Sequence, residues 1–280
     1  MELLQAEKQY LFNLKKGYEG ESLFDSFTNT VKRECLILND LLFEINNNTF
    51  QIDTLIILHN KVYLFEVKNY TGDYYYQSEK LFRKPNFEII NPLHQLGRSE
   101  SLLRQLLLSA GFTPEINSSI VFINPGFMLY QAPLDKPIIF PPQISRFIET
   151  LNGSSSTLTK RDKLLAEKIL EMNKEVSPFK KLPTYDYQQL SKGIFCHECH
   201  SSSITIHNRT CSCDICGTKE SVTIAVLRNI QEFKILFPQE KVTTTIISDW
   251  CGMKVSPKTI SRILKSNFQK RGERRWTYYE

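Results

Sequence analysis

The stretch QIDTLIILHNKVYLFEVKNY, residues 51–70, constrains the fold more than any other part of the chain. Two apolar runs rich in β-branched and aromatic residues flank a short polar break, the pattern of two strands joined by a tight turn. Three charged residues, Asp53, Glu66 and Lys68, stand at the far ends of these otherwise buried strands. A turn at Asn60 and Lys61 sets Asp53 opposite Lys68 and Leu55 opposite Glu66, whereas a turn at His59 and Asn60 sets Asp53 opposite Glu66. Directly opposed residues share a face, as do Glu66 and Lys68 two apart, so both registers gather the three charges at one end of the hairpin. A register of the other parity separates them.

Two carboxylates held close repel unless a cation lies between them, and oxygen ligands suit Mg2+ or Mn2+. With a lysine beside them to hold a water or a phosphate oxygen, they supply the parts of a metal-assisted phosphodiester hydrolysis site. The plainer reading is a solvated strand end at Glu66 and Lys68, with Asp53 closing a turn.

Around the hairpin, the apolar spacing predicts a helix up to about Lys16, a second helix after Gly20, and strands in ECLILNDLLFE, from Asp73 to Tyr76, in SSIVFINP and in PIIF. NPLHQLGRSESLLRQLLLSAG reads as a helix stopped by Gly111. NGSSSTLT, 152–159, has linker composition, RDKLLAEKILEMNKEV behind it is helical, and SPFKKLPTYDYQQLSKG is a second soft region.

GYEGES, QIDTLII, LFEVKNYTG and NPLHQLGRS, in that order over about residues 15–140, resemble the NERD (nuclease-related domain) family of the PD-(D/E)xK nuclease superfamily. The resemblance implies a restriction-endonuclease-like mixed sheet flanked by helices. It also implies a site built from Asp53, Glu66, Lys68 and a helical Glu21, with Gln95 on a helix facing it. Ile52 stands where the superfamily's name has proline, a position that tolerates change. Glu21 has a second explanation as a first-turn acid favouring the helix dipole, and Gln95 as a surface amide.

Five of the seven cysteines crowd into 21 residues. Cys196-x-x-Cys199 and Cys213-x-x-Cys216 are two knuckles thirteen residues apart, spacing that fits a closed structural Zn2+ site of the zinc-ribbon kind. Cys211 in place of Cys213 is the main competing ligand set, and His197 and His200 are spare candidates. Such clustering suits metal in a reducing, cytoplasmic setting better than a disulfide framework.

The chain carries 35 Lys and Arg against 30 Asp and Glu, a net of +5. Ala225–Glu280 alone holds eleven against five, or +6, leaving −1 for everything before it. A polyanionic partner is therefore expected at the C-terminal region. There, helical spacing from about Thr243, a turn near Gly252, and Ser256 and Pro257 opening a further helix resemble a winged helix-turn-helix. Lys258, Arg262 and Lys265 on that helix, with Arg271, Arg274 and Arg275 beyond it, are the expected nucleic-acid contacts; a solvated cationic face is the alternative.

No apolar run reaches the roughly 18 residues that a membrane helix needs, and Glu2 and Glu7 break the pattern of a signal peptide. The expected organisation is a nuclease-like α/β domain over 1–151, a linker with a helix over 152–192, a zinc ribbon over 193–224 and a small basic helical domain over 225–280. DNA is the expected substrate, with RNA open. A DNA-binding adaptor that keeps the nuclease fold only as a scaffold is the rival reading.

Overall fold

The computed structural model describes residues 4–153, 157–174 and 183–280, apart from the Arg275 side chain. The parts of the two soft regions at 154–156 and 175–182 lie outside the described residues. Two compact units are present, one reaching to Pro183 and one from Thr184 to Glu280.

The first unit opens with α1 (Gln5–Thr28), followed by β1 (Leu36–Ile45), β2 (Asn48–Leu58), β3 (Lys61–Lys68), β4 (Gly72–Gln77), β5 (Lys80–Arg83), β6 (Phe87–Ile89), α2 (Pro92–Ser109), β7 (Glu115–Phe122), β8 (Phe127–Tyr130), β9 (Ile138–Ile139), α3 (Ile144–Gly153) and α4 (Lys160–Met172). The main sheet runs β1-β2-β3-β7-β9, and β6-β5-β4-β8 form a smaller one. Antiparallel pairing through β1, β2 and β3 gives way to parallel pairing of β3 with β7, across the helix α2 that such a crossover requires.

Both faces of the main sheet are covered, which is why β2 and β3 read as continuous apolar runs. Leu55, Ile57, Val62, Leu64, Ile120 and Phe122 pack with Leu96, Leu103 and Leu107 of α2 and with Leu165, Ala166 and Ile169 of α4. Ile56, Leu58, Phe65, Val67 and Val121 pack on the other face with Phe24 of α1 and Ile144, Ile148 and Leu151 of α3.

Two expectations change. The N-terminal pair of helices is one helix, continuous through Gly17 and Gly20. The helix expected inside a linker is instead α4, part of the core. Its Thr159 cap is fixed by Asp162, whose other oxygen accepts the Asn60 N–H of the β2–β3 turn at 2.8 Å. That turn holds His59 and Asn60 at φ 46° and 58°, the doubly left-handed geometry of a two-residue hairpin turn.

The second unit has β10 (Ile204–His207), β11 (Thr210–Cys213), β12 (Lys219–Ser221), α5 (Val222–Leu236), α6 (Thr244–Trp250), α7 (Pro257–Asn267), β13 (Lys270–Arg271) and β14 (Tyr278–Tyr279). One core joins these elements: Ile204, Cys211 and Cys213 of the β10-β11-β12 sheet pack with Ala225, Val226, Ile230 and Phe233 of α5 and with Ile247, Trp250, Ile260, Ile263 and Leu264 of α6 and α7. The stretch 193–224 and the basic tail, expected as separate modules, thus bury their apolar surface together. No helix among the described residues is long and apolar enough to cross a membrane.

Candidate functional site

Pairing of β2 with β3 runs Leu58↔Lys61 through Thr54↔Phe65, the register of the His59–Asn60 turn, and its continuation sets Asp53 opposite Glu66. Both acids share the face of Leu55 and Leu64, so they emerge where that core layer ends, beneath α2. Past Thr54 the backbone ladder stops: Asp53 Oδ2, not a backbone carbonyl, accepts the Val67 N–H at 2.7 Å. Lys68 Nζ donates to Glu66 Oε1 at 2.6 Å and to Gln95 Oε1 of α2 at 3.2 Å. Glu66 is 2% exposed.

Glu21 joins them from α1 in the wall of one cleft of about 560 Å3, which also holds Phe12, Lys16, Tyr70 and Arg83. Gly20 lets the helix come this close, since a Cβ there would lie 2.7 Å from the Asn69 Cβ. Asn69 in turn donates to the Lys16 carbonyl at 2.8 Å and accepts from Asn124 Nδ2 at 2.8 Å, while Asn124 Oδ1 accepts the Gly126 N–H at 2.9 Å. This amide chain ties the helix bearing Glu21 to the strand end bearing Glu66 and Lys68. It explains why a glycine and an asparagine accompany the acids in GYEGES and VKNY.

Burial first, and then neighbouring negative charge, raises the Glu21 carboxyl to about 7 and the Asp53 carboxyl also to about 7. Burial raises Glu66 too, partly countered by Lys68. For Lys68, burial pulls the pKa down, but the Glu66 carboxylate outweighs it and the net shift is upward, so the ammonium stays charged. Acids that hold their protons to neutrality beside a fixed cation are suited to a site that ionises when a divalent cation arrives.

Asp40 is a fourth acid, one that no sequence pattern singles out. The β1–β2 register, Asn39↔Thr54 then Leu41↔Ile52, places it opposite Asp53. It takes a left-handed φ of 51° within β1, and its charge helps raise both Glu21 and Asp53.

In the second unit the Sγ atoms of Cys196, Cys199, Cys213 and Cys216 lie within 4.8 Å of one another, a group that could hold a metal ion. The Cys196–Cys216 and Cys199–Cys213 separations are each 3.5 Å, close to the edge of a tetrahedron with Zn–S bonds of about 2.3 Å. Cys211 packs in the core instead, 1% exposed. The two knuckles fold alike. In each, the first cysteine's carbonyl accepts an N–H four residues on, from His200 and Gly217, and its own N–H donates five residues on, to Ser201 and Thr218. His200 and Gly217 hold the left-handed φ, 57° and 75°, so His200 serves the turn.

Lys258, Arg262 and Lys265 are exposed on α7, whose Ser256 cap accepts the Thr259 N–H. Arg274 is exposed in the β13–β14 connection. Arg271 is tied to Glu280 at 3.1 Å, which leaves it less free than the others for an outside anion. Arg275, for its side chain, lies outside the described residues.

Residues 16–123 match the family model described as NERD, nuclease-related domain. No curated protein and no solved structure matches the chain. The match begins within α1 and ends just past β7, so it takes in Glu21, Asp53, Glu66, Lys68 and Gln95. The match lies wholly within the first unit, and the region from Thr184 onward lies outside the matched span.

Proposed function

We propose that this chain is a divalent-metal-dependent nuclease of the PD-(D/E)xK type that hydrolyses DNA phosphodiester bonds. The observation that carries the proposal is the convergence of Asp53, Glu66 and a charged Lys68 at one strand end, inside a cleft that also receives Glu21. Asp53 and Glu66 would hold Mg2+ or Mn2+, and Glu21 would assist directly or through water. When bound, the ion would lower the pKa of its water and offset the charge that develops on the phosphate. Lys68 is placed by two hydrogen bonds, to Glu66 and Gln95, and its third N–H, without a partner among the described residues, would orient the attacking water or meet a phosphate oxygen. Gln95 acts on the reaction through Lys68.

The four thiolates of Cys196, Cys199, Cys213 and Cys216 would fill the coordination sphere of a structural Zn2+, in keeping with a reducing, cytoplasmic setting. Because Cys196 and Cys213 also belong to the core shared with α5, α6 and α7, loss of the ion should loosen the whole unit. Cys199→Ser should reduce bound zinc from about one per chain to none and remove the C-terminal unit's melting transition. The transition of the first unit should remain, as read by calorimetry with metal analysis. Lys258, Arg262, Lys265, Arg271, Arg274 and Arg275 would meet DNA phosphates, with α7 offered to the major groove as in a winged helix-turn-helix.

Incubating the purified chain with supercoiled, linear and single-stranded DNA and with RNA, with and without Mg2+, tests the reading. Metal-dependent DNA cleavage is expected, falling at least about a thousandfold in Lys68→Ala while the circular dichroism spectrum is retained. Cleavage that survives this substitution refutes the assignment. A chain that binds DNA and cuts nothing is an adaptor.

A further inference from the structure

Beyond the acids and Lys68, the cleft has a second set of residues that the metal site does not use, among them Tyr70, whose ring also packs toward Phe122 at 5.9 Å. Lys16 stands on the α1 wall and Arg83 on the β5 wall, and neither side chain has a carboxylate partner among the described residues. Three other cations nearby are engaged: Lys80 with Glu88, Lys84 over the Tyr130 ring, and Lys68 with Glu66. Two cations without a carboxylate partner among the described residues, one from α1 and one from β5, beside a cluster of acids suit a polyanion with one phosphate at the reacting position and others held next to it.

The aromatic lining narrows the substrate further. Phe12 is 59% exposed in the α1 wall, and Tyr70 lies in the same cleft stacked on Tyr74 with centroids 5.5 Å apart and planes at 18°. A phenyl ring this exposed in a polar cleft offers a face to a flat apolar partner. Unpaired bases offer such faces, whereas those of a duplex are stacked on each other. Sequence-tolerant single-strand binding is built from these parts, a cationic groove with rings along it. A cleft of about 560 Å3 is also in the range of small-ligand sites, with room for a few nucleotides.

We infer that the strand being cut is unpaired where it passes through the site, its bases stacking on Phe12 and Tyr70 and its flanking phosphates held by Lys16 and Arg83. The inference rests on the nuclease reading and deepens it. It makes single-stranded DNA, or the frayed or flap end of a duplex, the substrate class. The basic face of α7 can hold duplex DNA without being the place where a strand is cut.

Photo-cross-linking of the full chain locates the strand directly. The chain carries Glu66→Gln so that no cleavage intervenes, and the probe is a single-stranded oligonucleotide containing 5-iodouracil. Cross-links are expected at Phe12 or Tyr70. In the same background, Phe12→Ala should weaken single-strand binding by roughly 5- to 100-fold and leave duplex binding unchanged. Lys16→Ala and Arg83→Ala should each lower the salt dependence of single-strand binding by about 0.7 in the logarithmic slope. Cross-links confined to residues 257–275, with single-strand affinity and slope unchanged in all three variants, overturn the inference while leaving the nuclease reading intact. Failure of the wild-type chain to cut any substrate overturns the nuclease reading alone, because the cross-link positions do not depend on cleavage.

Discussion

With Asp53 replaced by Asn, the metal-free protein should melt higher than the wild type at pH 8 and should cut no DNA. In the folded chain the Asp53 carboxyl is held to about 7, chiefly by burial, against an ordinary value of 3.8. A carboxyl whose folded pKa is raised contributes stability below its unfolded pKa and loses it as pH climbs through the folded value. The metal-free wild type is therefore penalised from about pH 4 upward, and fully so above about pH 7. Asparagine carries no charge to bury and keeps an oxygen for the Val67 N–H, so the variant escapes the penalty. The gain should be on the order of 2–4 kcal/mol at pH 8 and should vanish near pH 4. Saturating Mg2+ should reverse the order, since binding to the folded wild type stabilises it and the variant has lost a ligand. Thermal melts at both pH values, with and without the ion, read all four arms. A variant less stable than the wild type at pH 8 without metal would show that Asp53 is not a strained, desolvated acid.

Gly20→Ala should lower the cleavage rate about a hundredfold although it changes no group proposed to touch substrate. In an exposed helix interior this substitution stabilises by roughly 1 kcal/mol. Here the new Cβ would meet the Asn69 Cβ at 2.7 Å, forcing α1 off the strand end, stretching the Asn69 bond to the Lys16 carbonyl and withdrawing Glu21. Overpacking of this kind costs about 1–3 kcal/mol, so the melting temperature should fall, and kcat should fall more than KM rises. Gly97→Ala is the control: it also lies within a helix, but nothing stands within 4 Å of its added Cβ. That variant should gain stability and keep its cleavage rate.

These two residues also mark how far the sequence could be read. Asp53, Glu66 and Lys68 were legible because strand periodicity fixes which side chains share a face, and either of two turn placements gathers the same three. Gly17 and Gly20 read as a break between helices because propensity penalises glycine in a helix; the tertiary contact with Asn69, which needs the missing Cβ, overrides that local preference. Asp40 was hidden for a related reason, since it faces Asp53 only through a left-handed residue in β1 that no pattern announces. The α4 helix was visible from its apolar spacing, yet an amphipathic face does not name its partner, and Leu165, Ala166 and Ile169 turn out to complete the sheet's core. The small sheet of β6, β5, β4 and β8 could not be read because its β4–β8 pairing joins segments about fifty residues apart. In the second unit the two knuckles, the Ser256 cap and the Gly252 turn were local signals and stood out. The core shared by β10-β11-β12 and α5 to α7 is non-local, and the sequence suggested two modules where one core exists.

Whether the three charges form a metal site is decided by titrating Mn2+ into the chain at pH 8 by calorimetry, beside Glu66→Gln and with the zinc content of both checked. The wild type should bind saturably, weakening steeply as pH falls through 7, where Glu21 and Asp53 take up protons, and the variant should not bind. Wild-type protein that binds no Mn2+ at pH 8, or Glu66→Gln protein that binds it equally well, would mean that Asp53 and Glu66 hold no metal.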